Sequence, residues 1–292
     1  MATKPLNGYG GEKAYRQAEA QRRIAERKYY SLLSRIARDL RKILQSATSP
    51  EMATMEIENY ANSPTFNAMA QSIAGQMVTA SLVGSRRTWR EAAAESSHGR
   101  IIYEALKKET ENTQLGIEID NIVQRNARLI RSVPRHVAEK LTKLAWEQYR
   151  KGIRPEETMQ KMLKMAPNLT QNKARLIART ETAKAASALM EARCEALGMP
   201  WYIWRSCEDE RVRDAHAFMN GILCRWDDPP NPEKLFGGTD SGGGYHPGGI
   251  YNCRCVAYPI ISESEIPFPI RVHSHGKVRT VNSLADLKRF AA

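Results

Sequence analysis

From Glu12 to Gln45 apolar side chains return at steps of three and four: Ala18, Ala25, Tyr29, Leu32, Leu33, Ile36, Leu40, Ile43 and Leu44. Neither Pro nor Gly interrupts the run, so the pattern predicts one long amphipathic helix. Ser49-Pro50 and Ser63-Pro64 each place a capping residue before Pro at a first helical position, which predicts short helices starting there. Phe66, Met69, Ile73, Met77, Val78, Leu82 and Val83 mark a small, apolar stretch over 65–84. Helical spacing returns over 86–109 and over 117–150, the latter through Ile122, Leu129, Ile130, Val137, Leu141, Leu144 and Trp146. Gly152 suits a helix stop, and Arg154-Pro155-Glu156-Glu157 suits the next start. Thr170 to Leu197 reads as a further helix, closed by Gly198-Met199-Pro200.

At Pro200 the character changes. Trp201-Tyr202-Ile203-Trp204 has the aromatic and β-branched content of a strand, and 227–249 gathers 7 of the 18 Gly and 4 of the 14 Pro. The expected fold class is therefore mainly α, with a small α+β, loop-rich carboxy-terminal module. The expected segments are a basic helical region over 1–164, a Cys/His module over 165–262 and a terminal segment over 263–292. So loop-rich a module has little core of its own, which makes a metal or packing against the helices an attractive stabiliser.

Composition narrows the class. A 292-residue chain with 42% hydrophobic residues can bury a core, which argues against global disorder. Lys and Arg number 44 against 32 acidic residues, a net charge of +12, and residues 1–50 alone hold 11 basic against 4 acidic side chains. That excess favours a polyanion, double-stranded DNA bound without sequence preference being the obvious one. Arg22, Arg23, Arg27, Lys28, Arg35 and Arg38 on the first helix are the candidate contacts. The plainer alternative is a helix face that meets water or a protein partner. Met1 to Ala20 has no apolar run of signal-peptide length, and no stretch nears the roughly 18–20 apolar residues of a membrane span.

All five cysteines (Cys194, Cys207, Cys224, Cys253, Cys255) lie in the last hundred residues, and their odd number argues against a disulfide framework. Cys253 and Cys255 project to the same side of an extended segment. With two further soft ligands they can complete a tetrahedral Zn2+ site. His216 is the third candidate; Cys207 and His246 compete for the fourth place, with Cys224 more distant. The alternative is a cluster of buried thiols and hydrogen-bonded His with no metal. Asp209 with Arg211 reads as a structural ion pair, and Arg179 with Glu181 as a helix-face pair. His273 and His275 sit in a polar terminal segment and are expected at the surface.

Taken together, Arg179-Thr180-Glu181, Trp204 ending a strand, Asp209-x-x-x-Arg213-x-x-His216, Gly221, His246-Pro247-Gly248 and Asn252-Cys253-Arg254-Cys255 resemble the Mu F-like phage head-morphogenesis family, over roughly 165–262. His216 stands where some relatives carry the second Cys of Cys-x-x-Cys. Arg213 replaces the first, a departure that removes one potential ligand. The resemblance implies a minor capsid protein of a tailed bacteriophage, needed for head assembly or genome delivery and present in few copies near the portal. It implies portal and major capsid or scaffold proteins as partners, a place in the virion after assembly in the host cytoplasm, and release with the genome as one outcome. No nucleophile, base and orienting group share a recognisable catalytic spacing, so a non-enzyme is expected. The alternative is a metal-dependent, nuclease-like hydrolase in which Asp209, His216, His246 and a metal activate water.

Overall fold

The computed structural model describes residues 11–95, 100, 113–239 and 242–291. The long helices are α1 (Gly11–Ser46), α2 (Pro50–Asn62), α3 (Pro64–Glu95), α4 (Thr113–Arg150) and α5 (Pro155–Ala196). After them come β1 (Trp201–Arg205), α6 (Asp214–Met219), β2 (Leu223–Arg225), α7 (Pro232–Leu235), β3 (Val256–Pro259), β4 (Ile270–Ser274), β5 (Lys277–Val281) and α8 (Leu284–Phe290). The fold class is mainly α with one small mixed sheet near the carboxy terminus.

The helix starts follow the expected chemistry. Ser49 Oγ accepts from the Met52 N–H at 3.2 Å and Ser63 Oγ from the Phe66 N–H at 3.2 Å, satisfying donors that the first turn leaves open. The helix from Pro64 is not short, however, and runs unbroken to Glu95. The two helices expected on either side of residue 165 are likewise one, because Pro167 is accommodated inside α5. The expected 86–109 helix falls partly on 96–99 and 101–109, outside the described residues.

The chain divides into two compact units: Met1–Arg23, Ser81–Glu118 and Ala183–Ala292 form one, Ile24–Ala80 and Ile119–Thr182 the other. The second unit is helical throughout. Ala25, Tyr29, Leu33, Ile36, Leu40 and Leu44 are at most 1% exposed, so the expected stripe of α1 is the buried one. Each large apolar side chain there contributes roughly 1.5–3 kcal/mol. Inside this core the Tyr29 hydroxyl donates to Asn126 Oδ1 at 2.9 Å, and Asn126 Nδ2 donates to the Ile122 carbonyl at 2.8 Å, which satisfies both polar groups. Two apolar positions of the predicted helical stretches are at the surface, Trp146 at 62% and Val83 at 64% exposure.

The sheet, in the first unit, has the order β3-β1-β2-β4-β5; β2 and β4 run parallel and the other neighbours antiparallel. β1 is buried on both faces rather than alternating. Trp201 and Ile203 join Leu223, Ile260, Ile270 and Val272 on one side, while Tyr202 and Trp204 join Met219, Ile222, Cys253 and Cys255 on the other. The stretch 263–292, expected as a separate terminal segment, supplies β4, β5 and α8 to this same sheet and its cover. His273 is accordingly not exposed but 1% accessible on β4, with Nδ1 3.5 Å from Asp228 Oδ2, and burial lowers its pKa. His275 is exposed, as expected.

Candidate functional site

The second face of β1 carries the site. Trp204 lies near the end of this buried strand, and its ring meets His216 edge-on at 5.6 Å between centroids. His216 is placed by α6, which follows the turn after β1. Gly221 closes that excursion with a positive φ of 78°, a conformation glycine adopts without strain, and its N–H donates to the Trp204 carbonyl at 2.9 Å.

The opposite wall is the segment from His246 to Cys255. Gly248 sits at φ 88°, and a Cβ there would lie 2.9 Å from the Ala183 carbonyl of α5, so only glycine lets the loop approach this helix. Asn252 turns the chain in the left-handed region at φ 55°. Cys253 and Cys255 then point inward, as alternation in an extended segment requires. Arg254 between them points outward to Asp209, which it grips with both guanidinium nitrogens.

Three ligand-type atoms converge. His216 Nδ1 lies 3.6 Å from Cys253 Sγ and 3.4 Å from Cys255 Sγ, and all three lie within 4.8 Å of one another. The residues are only 2–3% exposed. On the far side of the ring, His216 Nε2 is 2.9 Å from the Tyr245 hydroxyl, which donates to Glu233 at 2.7–2.8 Å. Burial and the Glu233 charge both raise the Tyr245 pKa, so the phenol keeps its proton. His216 thus presents Nδ1 to the two sulfurs and Nε2 to the Tyr245–Glu233 pair.

The thiols differ in the same way. A hydrogen bond from Cys255, with further help from His216 and the Gly248 N–H at 3.3 Å, brings the Cys253 pKa down to about 4. Cys255 is pushed up by Cys253 and by burial. Both sulfurs lie in a pocket that solvent barely reaches.

Tyr245 and Glu233 are the partners that sequence reasoning missed. A usable signal existed: Asn231-Pro232 repeats the cap-then-Pro pattern, and Asn231 Oδ1 does accept from the Lys234 N–H, placing Glu233 in the first turn of α7. His246 is close by but engaged elsewhere. Its Nδ1 is 3.0 Å from the Tyr202 hydroxyl and its Nε2 3.5 Å from Glu191. Cys207, half-buried on the turn after β1, has its sulfur 3.9 Å from Asp209 Oδ1, while Cys224 is buried beside the Ile222 carbonyl.

Two expected pairings are corrected. Asp209 pairs with Arg254, and Arg211 offers it only a backbone N–H at 3.0 Å; the Arg254 guanidinium holds the Asp209 pKa down to about 2. Arg179 reaches Glu26 at 3.5 Å, while Glu181 takes the Arg125 guanidinium at 3.1 Å. Arg213, which replaces a potential ligand, donates to the Tyr251 carbonyl at 3.0 Å and stacks on the Tyr251 ring at 4.7 Å. It holds the cysteine loop from outside. On α1, Arg23, Arg27, Lys28, Arg35 and Arg38 are exposed, whereas Arg22 is only 6% exposed and cannot lie against a phosphate backbone.

Helices feeding a small sheet, sealed on one face by a buried Cys/His knot, define a structural module. Residues 139–258, which contain that knot, match the family described as Phage Mu protein F like protein. The match begins earlier than the motif alone indicates, inside α4. The chain is also 29% identical over 148 residues to an uncharacterized protein of Haemophilus influenzae, an alignment covering 51% of this chain but 30% of that relative. No solved structure matches the chain.

Proposed function

We propose that this protein is a minor capsid component of a tailed bacteriophage head, acting near the portal and contacting the packaged double-stranded DNA through the exposed basic face of α1. The Mu F-like family supports a phage head-related protein, and the observation that carries the reading is the match over 139–258, which includes the whole Cys/His knot. The family supports portal, capsid or scaffold proteins as partners and the virion as the location. Among the described residues no helix is long and apolar enough to cross a membrane.

The site supports assembly over catalysis. Metal-assisted hydrolysis needs a coordination position that substrate and water can reach. His216, Cys253 and Cys255 are 2–3% exposed, so their chemistry is directed inward. Arg27, Lys28, Arg35 and Arg38 recur along the solvent-facing side of α1, the geometry suited to phosphate contacts that carry no sequence information.

Quantitative mass spectrometry of purified virions, before and after triggered DNA ejection, tests this. A few copies per particle, cross-linking to the portal protein, and loss from the particle on ejection are expected. Absence from intact virions would overturn the reading.

A further inference from the structure

We infer that His216, Cys253 and Cys255 are three ligands of a closed structural zinc site, with Cys207 as the fourth. This inference does not depend on the phage-head reading. Zn–N and Zn–S bonds of about 2.05 and 2.3 Å, opened to a tetrahedral angle, place nitrogen and sulfur about 3.6 Å apart. The observed separations from His216 Nδ1 are 3.6 and 3.4 Å. Both nitrogen–sulfur edges of a zinc tetrahedron are thus already in place, with the two sulfurs within 4.8 Å of each other.

The surroundings have the second layer such a site needs. A zinc-bound imidazole is oriented by a hydrogen bond from its other nitrogen, often toward a carboxylate. Here Nε2 meets the Tyr245 hydroxyl at 2.9 Å, and Glu233 anchors Tyr245 in turn. The Gly248 N–H points at Cys253 Sγ from 3.3 Å, an approach that steadies a thiolate. Trp204, Met219 and Ile222 form the apolar wall that excludes water.

We assign the fourth corner to Cys207, whose sulfur is not among the three donor atoms that already lie within 4.8 Å of one another. Both His246 nitrogens are already engaged, by Tyr202 and Glu191. Cys207 lies on the turn that carries Asp209, and Asp209 is clamped to Arg254, the residue between the two cysteine ligands. Its thiol makes only a weak sulfur hydrogen bond to Asp209, at 3.9 Å, which a Zn–S bond would replace. Binding expels the thiol protons to solvent.

The test uses the full chain, expressed with zinc and dialysed against metal-free buffer. Metal content is read by plasma mass spectrometry, followed by exchange for Co2+ and absorption spectroscopy. We expect about one zinc per chain and a tetrahedral Co2+ spectrum with the charge-transfer intensity of three thiolates. Cys207→Ser should keep the metal and lose about a third of that intensity, whereas His216→Cys, which preserves a soft ligand, should gain about a third. Circular dichroism establishes that each variant is folded. A folded native chain with less than about a tenth of an equivalent of zinc overturns the site. Unchanged charge-transfer intensity in Cys207→Ser overturns the fourth ligand.

Discussion

Glu181 pairs with Arg125 at 3.1 Å, across 56 positions of sequence, rather than with Arg179 two residues away. The Glu181 side chain is 5% exposed and that of Arg125 39%. Removing the cation leaves a largely buried carboxylate, a change that costs roughly 3–5 kcal/mol when both partners are buried. Solvent at Arg125 reduces this, so Arg125→Ala should lower the unfolding free energy in urea by about 2 kcal/mol. The double variant Arg125→Ala/Glu181→Gln should lose less than the sum of the single changes. Full additivity would show that the two groups are not coupled.

Two glycines of similar φ separate steric crowding from backbone strain. Gly248 is at φ 88° with a backbone oxygen 2.9 Å from where Cβ would be, whereas Gly237, at φ 90°, has open space there. Gly237→Ala should cost about 1 kcal/mol, from φ alone. Gly248→Ala should cost about 3 kcal/mol or more and loosen the cysteine loop, measured as faster amide exchange at Cys253. Equal losses would mean that the approach to α5 does not constrain the loop.

Asp209 reports the clamp on that loop. Because Arg254 holds its carboxyl down to about 2, below the usual value of 3.8, the pair stabilises the fold above the ordinary carboxylate range. That contribution is lost as pH falls from there through about 2. A carboxyl-carbon NMR titration should give a midpoint near 2 for Asp209, rising toward 3.8 in Arg254→Ala. An unchanged midpoint would leave the pairing without electrostatic weight.

Alanine at Arg27, Lys28 and Arg35 together should weaken binding to duplex DNA similarly for all sequences. The slope of log affinity against log salt should become shallower by about 1 for each cationic side chain removed. Arg22→Ala should leave the slope as it is, because that side chain is 6% exposed. A shallower slope in Arg22→Ala alone would place the DNA elsewhere.

Much of the fold is legible one residue at a time. The three-and-four stripe of α1, the Ser-Pro starts of α2 and α3 and the aromatic strand β1 are local patterns, and local rules recover them. The inward pairing of Cys253 and Cys255 also follows from alternation alone. Local rules divide α5 into two helices, but the chain continues through Pro167, since packing offsets the roughly 3 kcal/mol that Pro costs inside a helix. The merging of 263–292 into the sheet is invisible to such rules because the parallel β2–β4 pairing joins segments far apart in sequence.

What the sequence by itself determined is therefore the periodicity of the helices, the change of character at Pro200 and the inventory of soft ligands. Only the tertiary structure decided which of those ligands meet, which charges pair and which arginine is buried. The physical reason is range. Periodicity and capping act within a turn or two of chain, whereas the convergence of His216 with Cys253 and Cys255, the anchoring of Tyr245 by Glu233 and the reach of Arg125 to Glu181 depend on how the sheet and helices close around their cores.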